Sequence, residues 1–373
     1  MKVRIAFVLL TCLLLTGCWD QLVLDDLAFV FGMAIDIAPD REGFYLAITS
    51  LAFAEDAQRE TVKTIVYTRS ISQGIMNLQR QRERIVSMGK VRVIIFSTET
   101  AKSKVFLDVV NQLDQQRDMN PNAWVVISEE IDAREALYLR PPAEQKVAVY
   151  LDNLLTTGRN TGQIPKLTLS HFWAHRHTWG VNPIVPMVKK TENDSLMLSG
   201  LALIDGEGKM VGQLSDQEAI TFLIITRDIT RSRIFTEVDY AEQKNRWISM
   251  FVKGVDRKTH TKIENDKAVI DLNFRLKFDV INLDMDLEDV LDEKIFSGLE
   301  TSLARDLQGN IQKVINTAQE LKSDPFGLGQ HVRAQNLQWS RNKDWGEEFS
   351  QSRINVQVEV EIHRIGTLLN PRF

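Results

Sequence analysis

Two stretches near the end of the chain alternate apolar and polar residues so strictly that only strands with one wet face fit them. Ile270, Leu272, Phe274, Leu276, Phe278 and Val280 are interleaved with Asp271, Asn273, Arg275, Lys277 and Asp279. Ile354, Val356, Val358, Val360 and Ile362 stand in the same way against Asn355, Gln357, Glu359 and Glu361. Successive side chains of a strand point to opposite faces, so each stretch has one face that must be covered. Between them Leu291, Ile295, Leu299, Leu303, Leu307 and Ile311 recur at four-residue steps, the spacing of a long helix. Four residues turn an α-helix by about 400°, so this stripe drifts by ~40° per step. A straight helix cannot turn all of it toward one sheet. The pattern predicts either a bend at Gly298 or Gly309 or a second element on the far side, and an antiparallel sheet covered by a helix over residues 291–321.

Upstream the order is different. Ala28 to Ile37, Phe44 to Phe53 and Val62 to Thr68 read as strands, the first two joined through Pro39 to Gly43. Ile71, Ile75, Leu78, the stem of Arg82 and Ile85 fall at helical steps. Val91 to Phe96 reads as a buried strand, Ala101 to Leu113 as a helix, Ala123 to Ile127 as a strand and Glu144 to Leu155 as a helix, with Thr156 to Gln163 as a linker. This alternation is that of an α/β domain. After it, Asn182-Pro183 and Val185-Pro186 interrupt any helix or central strand. Leu196 to Ile204 and Met210 to Leu214 then flank the turn Asp205 to Lys209, and Ser215 to Ile225 reads as a helix capped by Ser215 or Asp216. The expected fold class is mixed α/β and α+β. The expected domains are an N-terminal α/β domain over residues 18–160, a middle domain over 161–229 and a C-terminal α+β domain over 230–373.

The first seventeen residues are expected to be removed. Lys2 and Arg4 precede an apolar run from Ile5 to Leu15, the charge order and length of a secretory signal. Eleven apolar residues fall short of the roughly 20 that span a bilayer. Leu15-Thr16-Gly17-Cys18 then has the pattern of a bacterial lipobox, which makes Cys18 the lipidated first residue of the mature chain. Two acyl chains anchor stably where one, at roughly 0.8 kcal/mol per buried methylene, binds only reversibly. The protein is expected on the outer face of a membrane, held by lipid.

Composition narrows the chemistry. Loss of Lys2 and Arg4 takes the formal charge from -5 to -7, a sign that attracts neither nucleic acid nor anionic headgroups. Cys12 leaves with the signal and Cys18 carries lipid, so no thiol remains for a disulfide, a zinc cluster or a nucleophile. His171, His175 and His177 have a spacing that offers two metal ligands on a helix, yet no carboxylate stands within the motif; the interleaved Trp173 and Trp179 favour a packed cluster. Gly206-Glu207-Gly208-Lys209 is followed by a strand, so no helix N-terminus meets an anion there. Asp284, Asp286, Glu288 and Asp289 suggest a calcium loop but put Asp289 where such a loop needs Gly. They fit better as acids offsetting a helix N-terminus. Arg80, Arg82, Arg84, Lys90 and Arg92 read as a solvated helix face, with docking to an acidic partner as the alternative. In Ser323 to Gly329, Pro325 is expected to stop the long helix and Gly327 and Gly329 to swing the chain back. The alternative is a partner contact centred on Pro325, Phe326 and Gly327, and Trp339 and Trp345 divide similarly between packing and an interface. No catalytic residue, metal site or cofactor is expected.

Several of these segments resemble one family. Gly17-Cys18-Trp19-Asp20, Leu27 to Asp36, Trp173, Asn182 to Pro186, Ser199 to Leu203 and Lys209 to Leu214 are similar to stretches of the C-subunit lipoproteins of spore germinant receptors, the Ger(x)C family. The most specific segment is Ser323 to Gly329, with Trp339, Trp345 and Phe349 behind it. Ser87 to Lys90 and Asp114 to Asn122 depart from the family pattern. The resemblance implies a three-domain lipoprotein without enzymatic activity. It also implies a place beside a membrane subunit and a permease-like subunit in the inner membrane of the spore. A solute-binding lipoprotein of a transporter is the alternative; it asks for two similar lobes with parallel sheets around a cleft, which the last third does not suggest.

Overall fold

The structure is a computed structural model and describes residues 26–40, 42–51, 61–141, 146–229, 232–240, 243–283, 293–366 and 368–369. The signal segment, Cys18 and the acidic run from Asp284 to Asp289 lie outside these residues. The fold is mixed α/β, built on two sheets.

The first sheet opens with a meander, β1 (Leu27–Ile37), β2 (Phe44–Leu51) and β3 (Thr61–Thr68). After α1 (Ile71–Gln79) the short β4 (Ile85–Ser87) and then β5 (Val93–Ser97) join β1 in parallel. Parallel neighbours need a crossover, which α2 (Thr98–Ala101) and α3 (Lys104–Asp114) supply before β6 (Trp124–Glu129). A longer crossover through α4 (Ala133–Tyr138), α5 (Val147–Asn160) and α6 (Leu169–Arg176) leads to β7 (Ile184–Lys190). The hairpin β8 (Leu196–Ile204) and β9 (Met210–Leu214) completes nine strands in the order β3-β2-β1-β5-β6-β7-β8-β9, with β4 beside β1. Residues 161–229 therefore extend the sheet that residues 18–160 begin. Every residue of β5 is buried, as a strand covered on both faces requires.

Next comes α7 (Asp216–Thr226), capped reciprocally by Ser215 and Glu218. Ala219 and then Thr221 to Ile225 are all buried, so this helix is covered on most sides beyond its first turn. One apolar core runs from Ala34, Ile95 and Leu151 under the first sheet, through Leu223 of α7, to Ile270 and Leu299 under the second. The second sheet holds β10 (Arg233–Tyr240), β11 (Gln243–Glu264), β12 (Lys267–Leu283), β13 (Arg353–Ile365) and β14 (Leu368–Leu369), in that order. Between β12 and β13 lie α8 (Glu293–Glu320), α9 (Leu328–Gln335), α10 (Leu337–Ser340) and α11 (Trp345–Gln351).

The alternation read from the sequence holds: Ile270, Leu272, Phe274, Leu276 and Phe278 face the core, as do Ile354, Val356, Val360 and Ile362. One expectation about this sheet changes. β13 runs parallel to β12, pairing Ile270 with Ile354 and Phe278 with Ile362, so the sheet is mixed rather than antiparallel. The reason is the connection: a helix laid across the face returns the chain to the starting end, which a hairpin does not. Helix α8 is continuous through Gly309. Its buried stripe of Leu299, Leu303, Leu307 and Ile311 drifts on to Val314, Ile315 and Ala318, and α7 and β10 pack on it besides β13. The second of the two expected solutions, a further covering element, is the one adopted.

Other local expectations shift for visible reasons. Helix α1 ends at Gln79, whose side-chain amide donates to the Arg84 carbonyl (2.9 Å) and accepts from Val86 N (2.8 Å), starting β4 where a helix through Ile85 was expected. The basic residues therefore share no helix face; Arg82 donates to Ser50 Oγ (3.0 Å) and Arg92 pairs with Asp152 (2.7 Å). Helix α5 continues to Asn160 through much of the expected linker. Pro186 sits within β7, between two neighbours, against the expectation that it interrupts such a strand. Pairing with β6 begins only at Met187, so the missing N–H falls where that side is still open.

Candidate functional site

The segment that most resembles the family, Ser323 to Gly329, forms a buried latch between the two sheets. Helix α8 stops at Lys322, which takes a left-handed conformation (φ 52°). Ser323 N donates back to the Ala318 carbonyl (3.0 Å) and Lys322 N to Gln319 (3.0 Å), the pair of bonds of a Schellman motif. The stop thus precedes Pro325, which was expected to make it. Gly327 (φ 69°) then leads into α9.

Asp324 is the centre of the latch and is fully buried. Its Oδ1 accepts from Phe326 N (3.0 Å), and its Oδ2 from Gly329 N (2.9 Å) and from the indole Nε1 of Trp345 (2.8 Å). Its main chain exchanges two bonds with Asn182: Asn182 N donates to the Asp324 carbonyl (2.7 Å), and Asp324 N to Asn182 Oδ1 (2.9 Å). Ser323 Oγ donates to the Ile204 carbonyl of β8 (2.7 Å). Burial pushes the Asp324 carboxyl up to about 6, against the opposing pull of these donors.

The surrounding rings are fitted closely. Trp345 lies 5.5 Å from Trp179 and 5.8 Å from Phe349, centroid to centroid. Gly180 (φ 84°) and Gly329 meet backbone to backbone: a Cβ on Gly180 would lie 2.5 Å from the Gly329 carbonyl carbon, and one on Gly329 2.6 Å from Trp345 Nε1. Only glycine fits both positions. Pro325, Phe326 and Gly327 are all buried, and Phe326 packs on Phe222 of α7 (5.7 Å). The surface contact expected as their alternative role is taken by the chain's own core in this conformation.

Above the latch opens a groove of about 950 Å³, bordered by Arg176, Asp205, Glu207, Lys322, Lys343 and Glu347. Two of its lysines are paired within the protein: Lys322 with Glu347 (2.5 Å), and Lys343 with Asp266 (2.8 Å) and Glu348 (3.0 Å). Trp339, the other expected interface ring, donates to Asp266 (2.8 Å) beneath Lys343.

The histidines are held by packing. His171 Nδ1 bonds Thr168 Oγ1 (2.6 Å), and the His177 ring stacks on Trp173 (4.6 Å). Burial, and then His171, pushes the His175 ring down. Among the described residues no three His, Cys, Asp or Glu side chains are placed to share a metal ion. The Asp205 turn closes as expected, with Asp205 Oδ1 accepting from Glu207 N and Lys209 N (both 2.9 Å). Among the described residues no helix is long and apolar enough to cross a membrane.

Asp36, the last residue of the Leu27 to Asp36 motif, is nearly buried (4% exposed). It accepts from Ala133 N (2.7 Å) and Arg134 N (3.0 Å), and so caps α4 from β1. Sequence reasoning singled out Asn182, Trp345 and the loop containing Asp324 separately but did not join them. The signal was a pair of polar-proline steps, Asn182-Pro183 and Asp324-Pro325, that stand on opposite sides of one contact.

The comparisons agree with this arrangement. The family model described as "Spore germination protein N-terminal domain" matches residues 20–190, and "Spore germination B3/GerAC like, C-terminal" matches residues 199–366. Spore germination protein KC of Bacillus subtilis (strain 168) is 21% identical over 394 residues, covering 97% of this chain and 95% of that protein. Spore germination protein GerQC of Bacillus cereus is 22% identical over 372 residues, covering 98% and 99%. The crystal structure of the GerBC protein superposes with a TM-score of 0.60 at 17% identity, over 89% of this chain and 96% of that one, and so shares the fold. With both family models matched in order, and the latch built from residues of each, the chain belongs to the Ger(x)C family of spore germination proteins.

Proposed function

We propose that this chain is a lipid-anchored subunit of a nutrient germinant receptor, with a structural and coupling role in triggering endospore germination. The observation that carries the reading is the family match across both halves of the chain. The core that the two sheets share and the Asp324 latch suit a coupling part, because sheets that share a core move as a unit. In this reading residues 1–17 are a signal and Cys18 carries the lipid. Residues 18–160, 161–229 and 230–373 are the three parts of the body, the first two sharing one sheet, on the outer face of the spore inner membrane beside a membrane subunit and a permease-like subunit. Catalysis has no part in it. The transporter alternative asks for two similar lobes, whereas the two sheets here differ in strand number and order.

Three outcomes test the proposal. Replacing Cys18→Ala should abolish incorporation of labelled fatty acid into the chain; undiminished label would place the lipid on another residue. Loss of the chain should abolish the response to all germinants of its receptor together. Exchanging it for the corresponding subunit of a receptor with other germinants should leave preference unchanged, as read from the germinant profile of the spores. A preference that travels with the exchanged subunit would make this a ligand-binding subunit instead.

A further inference from the structure

Among the described residues strand β10 is the outer edge of the second sheet, so one row of its backbone N–H and C=O groups faces outward with no strand partner among them. Natural edges of this kind are blunted by lysine, proline or a bulge; the irregularity of β10 falls beyond Val238, and from Arg233 to Val238 the register is regular with neither lysine nor proline. The outward face of this segment is apolar at its centre. Phe235 is 62% exposed and stacks on Trp247, itself 49% exposed, at 5.1 Å.

Around that centre the charges are self-complementary. Arg233 and Glu237 stand two residues before and two after Phe235, and all three are exposed on the same face. If two such strands run antiparallel about an axis through Phe235, each Arg233 faces a Glu237 and the two phenyl rings face each other. Opposite charges directly across a strand pair are favourable, and like charges are not. An edge shaped for an unrelated strand has no need to complement itself. Along the same edge lies a cleft of about 160 Å³ between α7, α8 and β10, with an apolar floor that includes Ile220, Ile224, Leu303 and Leu307. Ile234 of the pairing strand, set opposite Thr236, comes to its mouth.

We infer that β10 is a self-association edge, on which a second copy of this chain pairs antiparallel about Phe235 and continues the five-stranded sheet across the two-fold axis. The inference stands whether or not Cys18 carries lipid.

Cross-linking of the full chain in its membrane fraction tests it. At a two-fold axis the residues 235 of an antiparallel pair have Cα atoms about 4.5–5.5 Å apart, within the roughly 4.4–6.8 Å a disulfide bridges. Under mild oxidant, Phe235→Cys should give a species of twice the mass of the reduced chain. The unaltered chain, whose cysteines are Cys12 and Cys18 alone, and Thr236→Cys should not. Adding Arg233→Glu to Phe235→Cys places like charges opposite and should cut the yield about fivefold or more; adding Glu237→Arg to that chain should restore it. Sedimentation in detergent gives a second reading, with dimer for the unaltered chain and monomer for Arg233→Glu. Absence of the dimer, a yield indifferent to Arg233→Glu, or a cross-link to a different protein in its place would each overturn the inference.

Discussion

Asp324→Ala is expected to cost about 3–5 kcal/mol of folding stability, measured by denaturant unfolding of the protein. The alanine leaves Phe326 N, Gly329 N and the Trp345 indole N–H buried with no acceptor in place of the one they now share. Each orphaned donor costs on the order of 1–3 kcal/mol where water cannot reach it. A loss below about 1 kcal/mol would mean that the loop relaxes and that the latch is not what joins the two sheets. The same carboxyl gives a pH signature. Burial raises it to about 6 from 3.8, so between these values the folded state binds the proton that the unfolded state has released. Stability from this group is therefore greatest below about pH 4 and falls as pH rises to about 6, by roughly 3 kcal/mol in all. Asp324→Asn removes this slope, whatever it does to the level. Equal slopes for the two proteins between pH 4 and 6 would show that Asp324 does not titrate in this window.

Periodicity was legible wherever a single face decided it. β13 buries one side against α8 and β12 the same side against α9 and α11, so the alternation at Ile270 to Val280 and Ile354 to Ile362 survives intact into the fold. The direction of β13 was not legible, because alternation carries no sign; only the helix between the two strands decides it, and the parallel pairing follows from that crossover. Strand β11 escaped notice for a related reason. Its half from Asp256 to Glu264 is charged or hydroxylated at most positions, and its partner is supplied across a two-residue turn, Asn265 and Asp266, both at positive φ. The end of α8 near residue 321 was legible, but its cause was not: proline is the visible stop, whereas Lys322 adopts the left-handed turn three residues before Pro325. As for the site, the family resemblance marked the segments around Asn182, Asp324 and Trp345. Their meeting depends on contacts across 142 and 21 residues, which local spacing does not encode.

Ile362→Asp should destabilise by several kcal/mol, while Gln357→Asp in the same strand should stay within about 1. Ile362 is wholly buried, opposite Phe278 of β12, and its N–H donates to Glu300 Oε1 of α8 (2.9 Å). An aspartate there would bring a second carboxyl toward Glu300 in a site with no water to solvate it, and would either stay charged at great cost or take up a proton. Gln357 stands opposite Asn273 on the exposed face, where a carboxylate remains hydrated. The two positions are five residues apart, so they lie on opposite faces in this register. A slip of one residue between β12 and β13 would exchange their environments and reverse the order of the two losses. Thermal unfolding of both variants beside the parent chain measures the difference. Similar shifts for both would mean that β13 has no buried face, and that α8 covers something other than this sheet.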